Sequence, residues 1–367
     1  MLVPDRRPRQ RTYHRAMPRL VLATTAVAAP MGAQVYEEEI ARRAAGALAA
    51  HADSRWAVDR VVARSVRSPL PGNRRLPMGR LGRAGTGARR AAGRVVYPPG
   101  TLVHRMNLEL PPAPHEVVTL HDVVAWRYSD ESAPVRAAAE ELRRAAAVVC
   151  VSEFSAVEAV ELLGIDDPDV VHNGVDERFR DAAPATAAEL ASLGIDRPYV
   201  LHAGGAARRK NLEALAEAWP HVRSARPDVD LVLSGPAHRR RDELFAGLPG
   251  VHRVGRVPAA AVPGLVAAAS AVVVPSLHEG FGLPALEAMA ARVPVVAART
   301  SSLPEVVGDG GVLVAPTGPA LADGLVWALS GDREIAATVE RGRARADLFT
   351  WERSAAGHAA VWLRVGR

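Results

Sequence analysis

Short apolar runs rich in β-branched residues alternate along the chain with segments whose apolar positions recur at helical spacing. In the first half, the runs predict strands at Arg19 to Ala28, Trp56 to Ala63, Thr101 to Asn107, Val117 to His121 and Val148 to Ser152. A second series predicts strands at Tyr199 to Ala203, Leu231 to Ser234, Val251 to Val254, Ala271 to Pro275, Val295 to Ala298 and Val312 to Ala315. Continuous apolar strands separated by helices are typical of parallel sheets covered on both faces.

The two series predict an α/β fold class with two Rossmann-like, doubly wound parallel-sheet domains facing a cleft. We expect a disordered lead at 1–16, an N-terminal domain at 17–183 and a C-terminal domain at 184–349. The segment from Glu177 to Asp196 is expected to be a linker, and 350–367 a helix that packs back toward the N-terminal domain. In doubly wound sheets, ligands bind at the carboxyl ends of the strands, so the site is expected in the cleft.

The N-terminal segment has two interpretations. Arginine-rich residues 1–19 followed by the apolar run to Ala29 imitate a secretory signal, but the same run fits a buried first strand, with Met17 as a possible start. The sequence has one cysteine, Cys150, which excludes an intramolecular disulfide and favours a reducing, cytoplasmic setting. No uncharged apolar stretch reaches the length that spans a bilayer.

Positive charge is concentrated in the first third of the chain. The net charge is +6, yet residues 1–100 hold 19 Arg and 6 acidic residues, and the stretch from Arg60 to Arg94 holds ten Arg and no acid. We expect this stretch, with its Gly79, Gly82, Gly85 and Gly87, to be a flexible loop. It is either a solvated surface or a contact for an anionic membrane or acidic acceptor. Nucleic acid is disfavoured because no aromatic residue is interleaved for base stacking.

One basic residue differs from the others. Of 46 basic residues, 45 are Arg and one, Lys210, is Lys. A compact ammonium retained at one position indicates a site where a planar guanidinium does not serve. Arg209 and Lys210 follow a predicted strand and the glycine turn at Gly204, which places them at the mouth of the second sheet as candidate ligands of a diphosphate.

A second candidate loop runs from Pro275 to Glu287, again from strand through glycines into a helix. Gly280 and Gly282 permit a sharp turn and close approach of an anion to helix amides. Glu279 in the turn and Glu287, placed in the first turn of the helix, can accept from hydroxyl groups at two ends of a long ligand. An ordinary acidic helix entry explains the same spacing.

From Val117 to Pro316 the chain resembles the retaining nucleotide-sugar glycosyltransferases of family 4, which have the two-domain GT-B fold. The matching motifs are T-L-H-D-V-V at 119–124, V-S-E-F-S at 151–155, H-N-G-V-D at 172–176, R-K-N-L at 209–212, P-S-L-H-E-G-F-G-L-P-A-L-E-A-M-A at 275–290 and S-S-L-P-E-V-V-G-D at 301–309. Their order and spacing make the resemblance specific, and its overall character is mannosyltransferase-like.

The resemblance implies a role for each matched position. It places Glu279 near the transferred sugar, Glu287 on the nucleotide ribose, and Arg209 and Lys210 on the diphosphate. His121, which would otherwise be taken as a capped loop histidine, is implied near the sugar and acceptor. The implied donor-binding backbone comprises Gly32 and the amides of Phe281, Gly282 and Leu283. We also expect Gly204, in the turn before Arg209, to bind the donor. The usual glycine pair of the first turn is Met31-Gly32 here, and Ala207-Arg208 replaces the frequent Glu-Pro.

The implied activity is transfer of a hexose, with mannose preferred, from a nucleotide diphosphate sugar to a glycan or lipid-linked acceptor, with retention of configuration. The N-terminal domain is then expected to form the acceptor side, and the C-terminal domain is expected to bind the nucleotide sugar. Two Asp-x-Asp pairs, at 167–169 and 228–230, precede strands and are interpreted as turns, so we expect no cofactor and no metal. The alternatives are a nucleotide-sugar epimerase on the same scaffold and a non-enzymatic binder of anionic surfaces. We expect the protein to be cytoplasmic, with peripheral contact at the inner face of the membrane as one possibility.

Overall fold

The computed structural model describes residues 17–28, 32–51 and 55–366. The strands of the first domain are β1 (Arg19–Thr25), β2 (Ala57–Ser65), β3 (Arg74–Leu76), β4 (Leu102–Arg105), β5 (Glu116–Leu120), β6 (Ala147–Cys150) and β7 (Asp169–Val170). Its helices are α1 (Gly32–His51), α2 (Met78–Arg83), α3 (Thr86–Val96), α4 (Val124–Arg127), α5 (Ala138–Arg144) and α6 (Glu153–Leu163). Their sheet is parallel, in the order β3-β2-β1-β4-β5-β6-β7.

The second domain repeats this architecture. Its strands are β8 (Tyr199–Ala203), β9 (Asp230–Ser234), β10 (Val251–Gly255), β11 (Ala271–Val274), β12 (Val295–Ala298) and β13 (Val312–Val314). Its helices are α7 (Ala187–Ser192), α8 (Leu212–Ala225), α9 (Arg239–Leu244), α10 (Val262–Ala267), α11 (Leu283–Ala290), α12 (Leu303–Val307), α13 (Gly318–Ala328) and α14 (Arg333–Ala346), followed by α15 (Trp351–Val365). The parallel order β10-β9-β8-β11-β12-β13 reverses direction between β8 and β11, where a doubly wound sheet opens its crevice.

The complete burial of several strands explains why continuous apolar runs in the sequence predict them. Every residue of β5, β11 and β12 is buried, and helices cover both faces of each sheet, so no alternation of polar positions is needed. The predicted strand at Tyr199 to Ala203 has the observed bounds, and the helix expected within 350–367 is observed at Trp351–Val365.

The chain crosses between the domains twice, and the two crossing segments touch. The backbone N–H of Val175 donates to the carbonyl of Phe349 at an N···O distance of 3.0 Å. A Cβ on Gly174 would lie 2.2 Å from the backbone nitrogen of Trp351, so only glycine fits at this crossing. Beyond it, α15 packs on α1, where Trp351 and Trp362 join the first domain's core.

Two segments that we expected to be irregular contain regular structure. The stretch from Arg60 to Arg94 is not a flexible loop: it contains the end of β2, all of β3 and α2, and most of α3, and Gly85 is the N-cap of α3. The expected linker from Glu177 to Asp196 contains α7, which begins with a capping box between Thr186 and Glu189. The expected disordered lead at 1–16 lies outside the described residues. Within the described part of the chain, we find no helix with the length and apolar character needed to cross a membrane.

Candidate active site

Two loops of the second domain meet at the point where its strand order reverses. After β8, residues 208–210 form a single 3-10 turn, and Lys210 Nζ donates to Glu279 Oε1, 2.6 Å away, in the loop after β11. Arg209 Nη1 lies 3.4 Å from the other carboxylate oxygen of Glu279. The lone lysine and the first of the two glutamates are therefore in direct contact, although 69 positions separate them.

Glu279 is held as an anion by these cations. The side chain is almost completely buried, and Ser276 Oγ also donates to its Oε1, 2.6 Å away. Burial alone would raise the pKa of the carboxyl group, but Lys210 and Arg209 outweigh burial and hold the pKa below its usual value. The result is a buried carboxylate flanked by two cations, a charge arrangement able to bind sugar hydroxyls beside phosphate.

Glu287 lies farther along the same segment, in the second turn of α11 and not, as expected, in the first. Burial and the nearby Asp176 carboxylate raise its pKa to about 8, and the attraction of Arg178 only partly offsets them. Asp176 and Arg178 come from the crossing segment, so Glu287 faces the region between the domains. The two glutamates therefore differ in charge state near neutral pH.

The glycines of the two loops serve different purposes. Gly282 has φ 105°, in the region that favours glycine, and caps α11. Gly280 has no such φ; instead, a Cβ there would lie 2.2 Å from the carbonyl oxygen of His121 in the first domain. The small size of Gly280 therefore admits the backbone of the other domain, a role that we did not expect for it.

The remaining predicted donor-binding positions differ in which of their atoms a ligand could contact. Gly32 begins α1 and faces the second domain, with its Cβ position 3.3 Å from Leu283 Cδ1. The Phe281 ring is buried against Phe349, at a centroid distance of 5.7 Å, so only its backbone is available to a ligand. Both backbone polar groups of Gly204 are used within the domain, by Ser234 and Arg241, which leaves its predicted donor contact without a free amide.

His121 follows β5 and lies on the first domain's side of the cleft. Its ring contacts Tyr36 edge-on at a centroid distance of 4.8 Å, and its Nε2 atom is buried without a hydrogen-bond partner in the structure. Burial lowers the pKa of the imidazole, so it is neutral at neutral pH. A neutral histidine with an unpaired buried nitrogen is not the capped loop residue that its sequence context alone predicts.

Sequence reasoning missed the polar residues that hold the loop around Glu279. Ser301 Oγ accepts from the backbone N–H of Glu279 at 3.0 Å, and Ser302 Oγ donates to the carbonyls of Glu279 and Phe281 at 2.9 and 2.8 Å. Asn211 Nδ2 donates to the carbonyls of Pro275 and Pro316, both at 3.0 Å. The signal for them was present, because all three belong to matched motifs to which we assigned no role.

The first domain places carboxylates opposite these cations. Glu131 Oε1 accepts from Arg209 Nε at 2.7 Å, and Asp130 Oδ2 accepts from the backbone N–H of Arg208 at 2.6 Å. Ser152 and Ser155 donate to the carbonyl of Gly280 at 2.6 and 3.0 Å. The loop around Glu279 is thus fastened from both domains.

Comparison with known proteins identifies the chain. A family model described as "Glycosyl transferases group 1" matches residues 197–331, which contain both loops. O-antigen chain mannosyltransferase B of Escherichia coli is 33% identical over 282 residues, covering 68% of this chain and 71% of that protein. The chain belongs to the group 1 glycosyl transferase family. It is a glycosyltransferase with mannosyltransferase relatives.

A second mannosyltransferase and a solved structure are also similar to this chain. The GDP-mannose-dependent alpha-(1-6)-phosphatidylinositol dimannoside mannosyltransferase of Mycobacterium tuberculosis is 30% identical over 224 residues, covering 58% of this chain and 56% of that protein. Sucrose-phosphate synthase from Thermosynechococcus elongatus has the same fold, with a TM-score of 0.70, 24% identity, and coverage of 94% of this chain and 99% of that one. The GT-B fold predicted from the sequence is confirmed.

Proposed function

We propose that this glycosyltransferase transfers a hexose, with mannose preferred, from a nucleotide diphosphate sugar to a hydroxyl group of a glycan or lipid-linked acceptor, with retention of configuration. The observation that carries the proposal is the contact of Lys210 and Arg209 with the buried Glu279 carboxylate, beside the cleft. The mannose preference rests on relatives whose names specify mannosyl transfer or GDP-mannose.

The proposed chemistry breaks the bond between the anomeric carbon and the leaving phosphate while the acceptor hydroxyl approaches the same face. Negative charge develops on the departing diphosphate, and Lys210 and Arg209 are placed to neutralise it. The departing phosphate oxygen takes the acceptor's proton, so no separate strong base is needed. Glu279, kept ionised by its neighbours, accepts hydrogen bonds from sugar hydroxyls, and Glu287 does the same for the ribose.

A panel of nucleotide sugars tests this proposal without knowledge of the acceptor. Slow hydrolysis of each donor is measured, and GDP-mannose is expected to be turned over fastest, releasing nucleoside diphosphate and a sugar of retained configuration. Hydrolysis of no donor would contradict the proposal. Recovery of an epimerised nucleotide sugar would support the epimerase instead.

We further propose that the reaction needs no metal ion. The proposal is supported by the two cationic side chains at Glu279, which supply the positive charge that a metal would otherwise bring. Turnover is expected to persist in excess chelator. Loss of activity on chelation, with recovery when Mg²⁺ is added, would contradict this prediction.

We also propose peripheral contact with an anionic membrane through a surface of the first domain. The arginine surface consists of exposed side chains on β3, α2, α3 and adjoining residues: Arg67, Arg74, Arg75, Arg80, Arg83, Arg90 and Arg94. None of these seven forms a salt bridge with any described residue. A cluster of unneutralised arginines attracts anionic headgroups, which fits a lipid-linked acceptor.

A further inference from the structure

A buried hydrogen bond joins the two domains immediately beside Glu279. His278 Nε2 lies 2.7 Å from Glu158 Oε2 on α6, and both side chains are at most 4% exposed. The imidazole packs between Phe154 and Tyr128, at ring-centroid distances of 5.3 and 5.8 Å. His278 therefore projects from the second domain into a closed socket of the first.

The position of His278 is coupled to that of Glu279 through the backbone. The two residues are consecutive, and the carbonyl of His278 accepts from Arg209 Nη1 at 3.3 Å. On the other side, the N–H of Glu279 donates to Ser301. With so short a connection, a shift of the imidazole out of its socket moves the carboxylate away from Lys210.

Glu158 has a second charged neighbour. Arg127 Nε lies 2.5 Å from Glu158 Oε1 in an ion pair without hydrogen-bond geometry, and the Arg127 side chain is 42% exposed. The buried carboxylate therefore lies between a partly exposed cation on α4 and the imidazole from the other domain. It defines where His278 must lie when the domains are together.

We propose that Glu158 and His278 are a pair of positioning residues that set Glu279 in its reactive location through the contact between the domains. This inference rests on the proposed function. Neither residue is expected to touch the donor; they act through the backbone at 278–279. Because a misplacement of about 1 Å at a reacting group can lower turnover about a hundredfold, the pair is expected to affect kcat.

The test measures donor hydrolysis by Glu158→Ala, Glu158→Gln and His278→Ala, each corrected for the folded fraction by near-ultraviolet circular dichroism. Glu158→Ala and His278→Ala are expected to lower kcat about tenfold to a hundredfold while the donor KM changes less than about threefold. Glu158→Gln keeps an oxygen that accepts from Nε2 and is expected to restore most of the activity. Glu161→Ala, an exposed glutamate on the same helix, is the matched control.

A double variant provides the decisive comparison. If the two residues act as one unit, Glu158→Ala/His278→Ala is no slower than either single variant. Multiplicative losses, equal losses in Glu158→Gln and Glu158→Ala, or wild-type kcat in Glu158→Ala would each overturn the inference. A wild-type protein that hydrolyses no donor contradicts the proposed function instead, so the two failures are distinguishable. If Glu158→Ala does not fold, His278→Ala and Glu158→Gln still give the comparison.

Discussion

At the scale of single residues, the site depends on the chemistry of one ammonium group. Lys210 is 12% exposed at its side chain and reaches Glu279 with a single short contact. An ammonium fits such a confined position as a point charge, whereas a guanidinium is planar and needs room for several donors. Arginine occupies every other basic position, so this geometry explains why lysine remains here.

The first prediction concerns this ammonium. Lys210→Ala is expected to lower donor turnover by about a hundredfold or more, because both Glu279 and the leaving diphosphate lose their nearest cation. Lys210→Arg keeps the charge but is expected to remain at least about tenfold impaired. Hydrolysis assays on folded protein give the comparison, with Arg208→Ala, an exposed neighbouring cation, as control. Full activity in Lys210→Arg would show that charge alone suffices.

The second prediction follows from the raised pKa of Glu287, about 8 in the folded protein against about 4.5 for an ordinary glutamate. The folded state binds this proton more tightly than the unfolded state. The resulting stabilisation is complete below pH 4.5 and is lost as the pH rises through 8. As the pH rises from 5 to 9, the thermal stability of Glu287→Gln is therefore expected to increase relative to that of the wild type. Melting curves of both proteins across that range test it, and a constant difference would contradict it.

The sequence predicts some residue contacts and misses others for a physical reason. Lys210 and Glu279 end neighbouring strands at the reversal of strand order, so their proximity follows from topology. The contacts of Glu158 and Ser152 with the other domain depend on how two folded bodies dock. No local sequence pattern encodes that docking. The family resemblance identifies the motifs, but it does not show which residues of the other domain they contact.

At the scale of elements, buried strands were predictable and short helices were not. Apolar β-branched runs predict β8 and β12 with their observed bounds. Helix α3 was missed because two glycines interrupt its Ala and Arg residues, and the glycines of this stretch were interpreted as a loop. Its stability comes from a remote partner: Arg89 is fully buried and pairs with Glu141 on α5, with Nε to Oε1 2.6 Å.

The third prediction tests that anchor. Arg89→Ala leaves Glu141 in the core with one cationic partner fewer, a loss of about 3–5 kcal/mol for a buried pair. The neighbouring exposed Arg90→Ala is expected to change stability by less than about 0.5 kcal/mol. Thermal unfolding of the two variants gives the comparison. Equal melting temperatures would mean that α3 does not need the buried pair.

At the scale of the whole molecule, the motifs that carry the family resemblance meet where the two domains face each other. Glu305 of the S-S-L-P-E motif accepts from the backbone N–H groups of Glu153 and Phe154, capping α6 of the other domain, and lies 2.7 Å from His172. A carboxylate at a helix N-terminus is stabilising. Much of the specific signal in the sequence therefore records how the domains fit together, beyond the chemistry itself.

Charge is also divided at this scale, since the arginine surface lies on the first domain, which carries the acceptor side of the proposed reaction. Binding through unpaired arginines is electrostatic and is therefore expected to weaken steeply with salt. The fourth prediction is that the protein sediments with vesicles containing phosphatidylglycerol and not with phosphatidylcholine alone. The combined variant Arg75→Ser/Arg80→Ser/Arg83→Ser/Arg90→Ser is expected to reduce this binding at least about tenfold, at roughly 1 kcal/mol for each arginine near the surface.

Two exposed arginines of the second domain, Arg197 and Arg333, provide the control, because replacing them lowers the net charge without touching the arginine surface. The variant Arg197→Ser/Arg333→Ser is expected to bind vesicles like wild type. Equal weakening per replaced arginine in the two variants would assign the binding to net charge alone, and unchanged binding in the four-arginine variant would contradict membrane contact through this face. Donor hydrolysis, which needs no membrane, is expected to be the same in all three proteins, since the arginine surface takes no part in binding the donor.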